Sequence, residues 1–318
     1  MLFLTKTSPR TNAHIVSIFG AGLIGLAIHQ SLEKTTCYHS ETLPFTWNNL
    51  NQQQQDVDAV NEKIATALQH QTGAEQHASR VSFVWSAGKG GFQSSQDVME
   101  EELKNFIRVL EIFKGLKKKY PETVFDFHLL SSAGGMHDGQ RFVDSILAIN
   151  PCSPYGSLKQ AQEQLLITAR PSINYIIYRP ASVYGYVGHD GRLGLIPTLL
   201  YNGHYNKVTT IYGNLNTLRD YVPSIDVGKY IADRIRLGLS DVKEPVKLLA
   251  SGKPTSIFEI KNIVERITGN RIYLTFRDEI ENSSDITFSP ALLPRGWQCA
   301  DIETGIRDVG NRLFHALV

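Results

Sequence analysis

Tyr155 and Lys159 stand four residues apart, with Ser132 upstream of both. On a helix, positions i and i+4 share a face, so the Lys159 ammonium is expected beside the Tyr155 phenol. A phenol is a weak acid with an ordinary pKa near ~10, and a neighbouring cation favours its ionised form. Ser132, expected at the end of the preceding strand, adds a hydroxyl able to donate to the same substrate oxygen. Base, cation and hydroxyl donor together would make a proton-transfer site. The tyrosine-lysine spacing alone carries little weight in a chain with 13 tyrosines, where it arises by chance. Its weight comes from the elements on either side.

Those elements begin with His14-Ile15-Val16-Ser17-Ile18-Phe19, an apolar run suited to a buried strand. Gly20-Ala21-Gly22-Leu23-Ile24-Gly25 follows directly, and residues 26–34 read as a helix. This is strand, glycine turn, helix, an arrangement that brings backbone close to a pyrophosphate at a helix N-terminus. Gly20, Gly22, Leu23, Ile24 and Gly25 are therefore candidate dinucleotide-binding residues. A ribose-binding acid is expected about twenty residues on. A short polar strand offers only Ser40 and Glu41 there, so Ser40 is the candidate and the choice between NAD and NADP stays open.

Residues 43–55 read as loop, with a short strand at Phe45-Thr46-Trp47 and glutamines 52–55 as a solvated loop or helix lead-in. A helix is expected over 58–69 and a strand over 80–85, the latter ending in Ser86-Ala87-Gly88-Lys89-Gly90-Gly91. Ligands of a doubly wound sheet lie beyond the carboxyl ends of its strands, so Ala87 and Gly88 would border the same crevice as the first glycine turn. Lys89 would meet a phosphate there or be a solvated loop lysine. A helix over 98–119, a strand over 124–130, a helix over 155–169 and a strand over 174–178 complete the alternation. The pattern predicts an α/β fold: a doubly wound parallel sheet of the Rossmann type with a smaller C-terminal substrate domain. Residues 1–182 would form the dinucleotide-binding domain, with a return segment near 220–237, and residues 183–318 mainly the substrate domain.

At 318 residues, 42% hydrophobic and a formal net charge of +1, the chain suits one or two globular domains and no nucleic-acid partner. The basic run Lys117-Lys118-Lys119 fits a helix C-terminus. Cys37, Cys152 and Cys299 lie far apart without metal-ligand spacing, so no metal is expected and a reducing cytoplasm fits. Met1-Leu2-Phe3-Leu4 is too short for a signal-peptide core, and no apolar run reaches the ~18 residues that span a bilayer. No membrane association is expected.

Further segments carry a resemblance. Arg179-Pro180-Ala181-Ser182-Val183-Tyr184-Gly185, then Ile211-Tyr212-Gly213-Asn214, Arg219-Asp220-Tyr221-Val222 and Asp226-Val227 fall in order after the Ser132, Tyr155 and Lys159 set. Gly296-Trp297-Gln298 and Glu303-Thr304-Gly305-Ile306 close the chain. In this order they resemble the extended short-chain dehydrogenases/reductases, within them the NAD-dependent epimerase/dehydratase family that acts on nucleotide sugars. The chain departs from that pattern at Phe19, at Ser182, at Gly194, at Asn48-Asn49, which offer no aspartate, and at Glu102, where asparagine is common.

The resemblance implies that Tyr155 is the general acid/base, that Lys159 lowers its pKa and holds the nicotinamide ribose, and that Ser132 binds the sugar oxygen. It implies that Pro180 and Val183 face the nicotinamide and that Arg219 meets the nucleotide diphosphate. Ala133-Gly134-Gly135 lack the Asp-Glu pair of the sugar dehydratases. A homodimer packed through helices 98–119 and 155–169 is the implied assembly, and a nucleotide sugar the implied substrate. Three functions stay open: an NAD(P)-dependent nucleotide-sugar epimerase acting at C4 through a keto sugar, an NADPH-dependent reductase of a keto sugar or other carbonyl, and a non-catalytic dinucleotide-sensing protein.

Overall fold

Apolar runs without alternation become the centre of the structure, because strands covered on both faces have no polar side to display. The computed structural model describes residues 1–8, 11–35, 38–69, 79–88, 90–91, 94–170, 172–188, 193–277 and 284–315. Strands β2 (Thr11–Phe19), β4 (Arg80–Trp85), β5 (Val124–Leu130), β6 (Asn174–Pro180) and β11 (Val246–Leu249) run parallel. With β1 (Leu2–Ser8) and β3 (His39–Thr42) they form one seven-stranded sheet, ordered β11-β6-β5-β4-β2-β1-β3.

Helices cover both faces. On one, α2 (Leu50–Gln69), α3 (Gln96–Lys119) and α5 (Pro154–Thr168) bury an aromatic core that includes Phe19, Phe83, Trp85, Phe106, Phe113 and Phe127. On the other, α1 (Leu23–Thr35) and α7 (Ser224–Leu237) lie against Val16, Ile18, Val84 and Ile176. A second, smaller core joins α6 (Leu195–His204), α8 (Ile257–Thr268) and α9 (Ile302–His315) through Leu199, Ile260, Val264, Ile306 and Leu313. Its parallel pair is β8 (Val208–Tyr212) with β13 (Tyr273–Arg277). Two short pairs join the layers: β7 (Ser182–Tyr184) with β10 (Tyr221–Pro223), and β9 (Leu218–Arg219) with β12 (Thr255–Ser256). Ser256 caps α8 in a capping box with Glu259, which satisfies the first free amides of that helix. From beyond residue 183, β11 pairs with β6 and α7 packs on the large sheet. Among the described residues no helix is long and apolar enough to cross a membrane.

Near one edge the sheet holds a strand beyond those read from the sequence. The N-terminal residues form β1, which runs antiparallel between β2 and β3, pairing Leu2 with Ile18 on one side and with Thr42 on the other. Leu2, Phe3 and Leu4 are buried in succession, so an edge position is closed by a strand that the sequence presents only as a short apolar lead. Two further local readings change. Glutamines 52–55 lie inside α2, where buried Gln53 donates to Asn105 Oδ1 at 3.3 Å and accepts from Arg108 at 3.2 Å. Phe45 and Trp47 form no strand; their rings pack tilted with centres 4.7 Å apart, and Trp47 meets Trp85 edge-to-face at 5.7 Å.

Candidate active site

β5 ends at Leu130, and Ser132 turns the chain into α4 (Ala133–Met136), where its Oγ accepts from Gly135 N at 3.0 Å. That bond uses a lone pair and leaves the hydroxyl hydrogen as a donor. Ser153 caps α5 in the same way, accepting from Gly156 N at 3.1 Å, and Pro154 occupies the first turn. Tyr155 is thereby fixed at the mouth of the helix. Lys159, one turn further, is buried with its Nζ 5.5 Å from the centre of the Tyr155 ring. The ammonium donates to Gln162 Oε1 at 3.2 Å and to Glu102 Oε1 at 3.4 Å.

A second buried pair locks these elements together. Arg179 at the end of β6 donates Nε and Nη2 to Glu163 on α5, at 2.9 and 2.6 Å, and Ser131 donates to the same carboxylate. Bidentate geometry satisfies both charges; removing one partner would leave a bare buried ion, a loss of about 3–5 kcal/mol.

The glycine turn has the shape of a pyrophosphate cradle. Gly20 adopts φ +103° with its Cα against Ala87, so a Cβ there would meet Ala87 backbone at 2.5 Å. Gly25 packs onto the carbonyl of Gly20, whereas a Cβ at Gly22 would meet nothing within 4 Å. The turn is therefore tight on its inner side and open where a phosphate would approach the first amides of α1. Ser86 Oγ donates to Gly20 O at 2.8 Å and keeps the ends of β2 and β4 together. The residues of the turn fit the pyrophosphate of a dinucleotide.

At the adenosine end the geometry differs. Since β1 separates β3 from β2, Ser40 lies two strand spacings, about 10 Å, from the strand that carries the glycine turn. Ser40 donates to Glu33, and Glu41 pairs with Lys63 at 2.7 Å. Ser40 is thus not brought to the turn.

A cleft of ≈ 320 Å³ gathers Ile24, Ser132, Tyr155, Pro180, Val183 and Arg219. Residues from opposite ends of the chain meet there, with Ile286 and Phe288 closing it. Gly88 borders Glu102 beside this cleft, and Lys159 stands next to Tyr155 without lining it. Lys89 lies outside the described residues, as do residues 189–192. Arg219 donates to Leu218 O at 3.3 Å and to Ser284 O. Burial pulls its guanidinium below the ordinary value, opposed by Tyr221 and Asp285, but an arginine keeps its charge through such a shift.

The model of the NAD dependent epimerase/dehydratase family matches residues 17–233, from β2 into α7. The chain belongs to that family. Membership places it among enzymes, and solved structures agree on the fold. A Thermus thermophilus UDP-glucose 4-epimerase in complex with NAD has 19% identity and a TM-score of 0.72, over 95% of this chain and 99% of that one. A Thermotoga maritima UDP-glucose 4-epimerase with UDP-glucose has 18% identity and a TM-score of 0.70, over 95% and 99%. A Bacillus cereus UDP-glucuronic acid 4-epimerase with UDP-glucuronic acid and NAD has 17% and 0.68, over 94% and 98%. No curated protein matches the sequence. This family member adds to the expected set Glu102, whose contact with Lys159 the sequence signals only as a charge on the apolar stripe of α3 between Met99 and Phe106. Phe288, far along the chain from Ser132, carries no such signal.

Proposed function

We propose that this enzyme epimerises a nucleotide sugar, at C4, by transient oxidation to a keto sugar. The observation that carries the reading is the one cleft that Ser132 and Tyr155 line together with Ile24, Pro180, Val183 and Arg219. The glycine turn and Val183 would hold a dinucleotide, NAD by preference, which supplies a reversible hydride acceptor. Tyr155, as phenolate beside Lys159, takes the proton of the sugar hydroxyl, while Ser132 donates to the same oxygen and fixes its position. Tyr155 returns the proton when the carbonyl is reduced from its other face, so no net redox change results. Arg219 binds the diphosphate and leaves the sugar free to turn in the cleft.

Elimination is not supported. Among the described residues that line the cleft the one acid is Asp220, and its carboxylate accepts from Ser251 at 2.7 Å and from Phe288 N at 3.0 Å. The enzyme acts in a reducing cytoplasm, in keeping with the unpaired Cys152 and Cys299. It forms a homodimer through α3 and α5, whose joint surface carries an apolar groove with Leu103, Ile107 and Leu165 at its floor.

The test is turnover of UDP-glucose and UDP-glucuronic acid, followed by NMR of the sugar C4 proton, with the wild type and Tyr155→Phe. Loss of about 10²–10⁴-fold in the variant is expected. Stoichiometric NADPH consumption would assign the reductase instead, and absence of both turnover and dinucleotide binding would assign the sensing protein.

A further inference from the structure

Glu102 is the one charged residue on the buried stripe of α3, which it shares with Met99, Asn105, Phe106 and Val109. Its Oε1 lies 3.4 Å from Lys159 Nζ, and its Oε2 accepts from Gly90 N at 3.4 Å. The side chains of both Glu102 and Lys159 are sealed, at 8% and 6% exposure. Gly88 is so close that a Cβ there would meet Oε1 at 2.6 Å. One carboxylate therefore joins the ammonium beside Tyr155 to the glycine-rich end of β4.

The other charges around Lys159 are already matched. On its own helix Glu163 is held by Arg179 of β6, and across the cleft Asp220 takes hydrogen bonds from Ser251 and Phe288. Gln162 on α5, Asn105 on α3, and Ser131 and Ser132 after β5 carry no charge. Among the described residues Glu102 is the anion that Lys159 meets.

We infer that Glu102 is a positioning residue that balances the charge of Lys159, setting the pH range in which Tyr155 works, and ties the loop after β4 to the same pair. The inference rests on the reading of Tyr155 and Lys159 as the proton-transfer pair. A lone ammonium favours a neighbouring phenolate strongly; an ammonium paired with a carboxylate presents a dipole and favours it less. An amide in this position would leave the full cation facing the phenol. Glu102 thus moves the working range of the enzyme toward higher pH.

Glu102→Gln keeps the size and an acceptor for Gly90 N while removing the charge. Its kcat against pH should show the acid-side limb about one unit or more below that of the wild type. NADH titrated into the variant at pH 7 and followed by nicotinamide fluorescence should bind at least as tightly, because the protein carries one negative charge fewer and Gly90 N keeps its acceptor. A superimposable pH profile, or NADH affinity reduced tenfold, overturns the inference while leaving the site reading intact, provided Tyr155→Phe abolishes turnover. Retained turnover in Tyr155→Phe overturns both. Where Glu102→Gln fails to fold, the double variant Glu102→Gln, Lys159→Met reads the pair directly. Recovery of its thermal midpoint supports charge balance, and no recovery overturns it.

Discussion

Gly135 lies directly against the face of Tyr155: a Cβ at this glycine would stand 3.2 Å from both Cδ1 and Cε1 of the ring. The close approach of α4 to α5 that this permits fixes the ring beside Ser132. Gly135→Val should therefore press on the phenol and, at 3.3 Å, on the Gly156 backbone at the start of α5, displacing the ring. A displacement near 1 Å costs about 10²-fold in turnover, and kcat measured against an unchanged circular dichroism spectrum checks it. Wild-type kcat would show that the ring position is not critical.

The glycine turn separates stability from binding. Gly22→Ala places its methyl in open space, so the thermal midpoint should hold while NADH affinity falls at least tenfold. Gly25→Ala drives a methyl into the carbonyl of Gly20 and should lower both. Equal NADH binding by Gly22→Ala and the wild type would mean that no phosphate sits over this turn.

On the proposed reading Arg219, which lines the cleft, binds the diphosphate in the ground state. A hydrogen bond to a charged group contributes about 1.5–3 kcal/mol, so Arg219→Ala should raise KM for a UDP-sugar by ten- to a hundredfold with kcat little changed. The idea fails on a KM that does not move, or on a loss confined to kcat.

Acid should destabilise the fold through buried imidazoles. Burial pushes His14 and His128 down to about 3, and lowers His137 as well. His14 and His128 are neutral when folded and protonate near 6.5 when unfolded, so the unfolded state binds more protons between about 6.5 and 3 and stability falls as pH drops through that window. Each of the two deeply shifted imidazoles contributes about 1.4 kcal/mol per pH unit there. Asp126 acts in the opposite sense: burial raises it to about 6, so it favours the folded state as pH falls from 6 toward 3.8. Two imidazoles outweigh one carboxylate. Thermal melts at pH 7.5, 6 and 5 should show a falling midpoint, and a midpoint that stays flat or rises would contradict the linkage.

Much of the site is legible in the chain because its chemistry depends on local spacing. Tyr155 and Lys159 share a helix face by the 3.6-residue period, and the caps Ser132 and Ser153 lie immediately before the elements they start. The runs 80–85 and 124–130 become β4 and β5 as expected, since strands buried on both faces need continuous apolar residues. Glu102 is different: its position is apparent in the sequence, but its partner is reached only when α3 packs beside α5.

The sequence by itself determined the alternation of strands and helices, the glycine turn, and the residue types able to move a proton, because these follow from period, backbone freedom and side-chain chemistry. The tertiary structure alone decided which strand borders β2, that Ser40 stands away from the turn, and that Arg219, Phe288 and Ser132 share one cleft. Sheet order and long-range contact are set by which surfaces bury together most completely, and β1 gains its place in the sheet only from partners on both sides, β2 and β3.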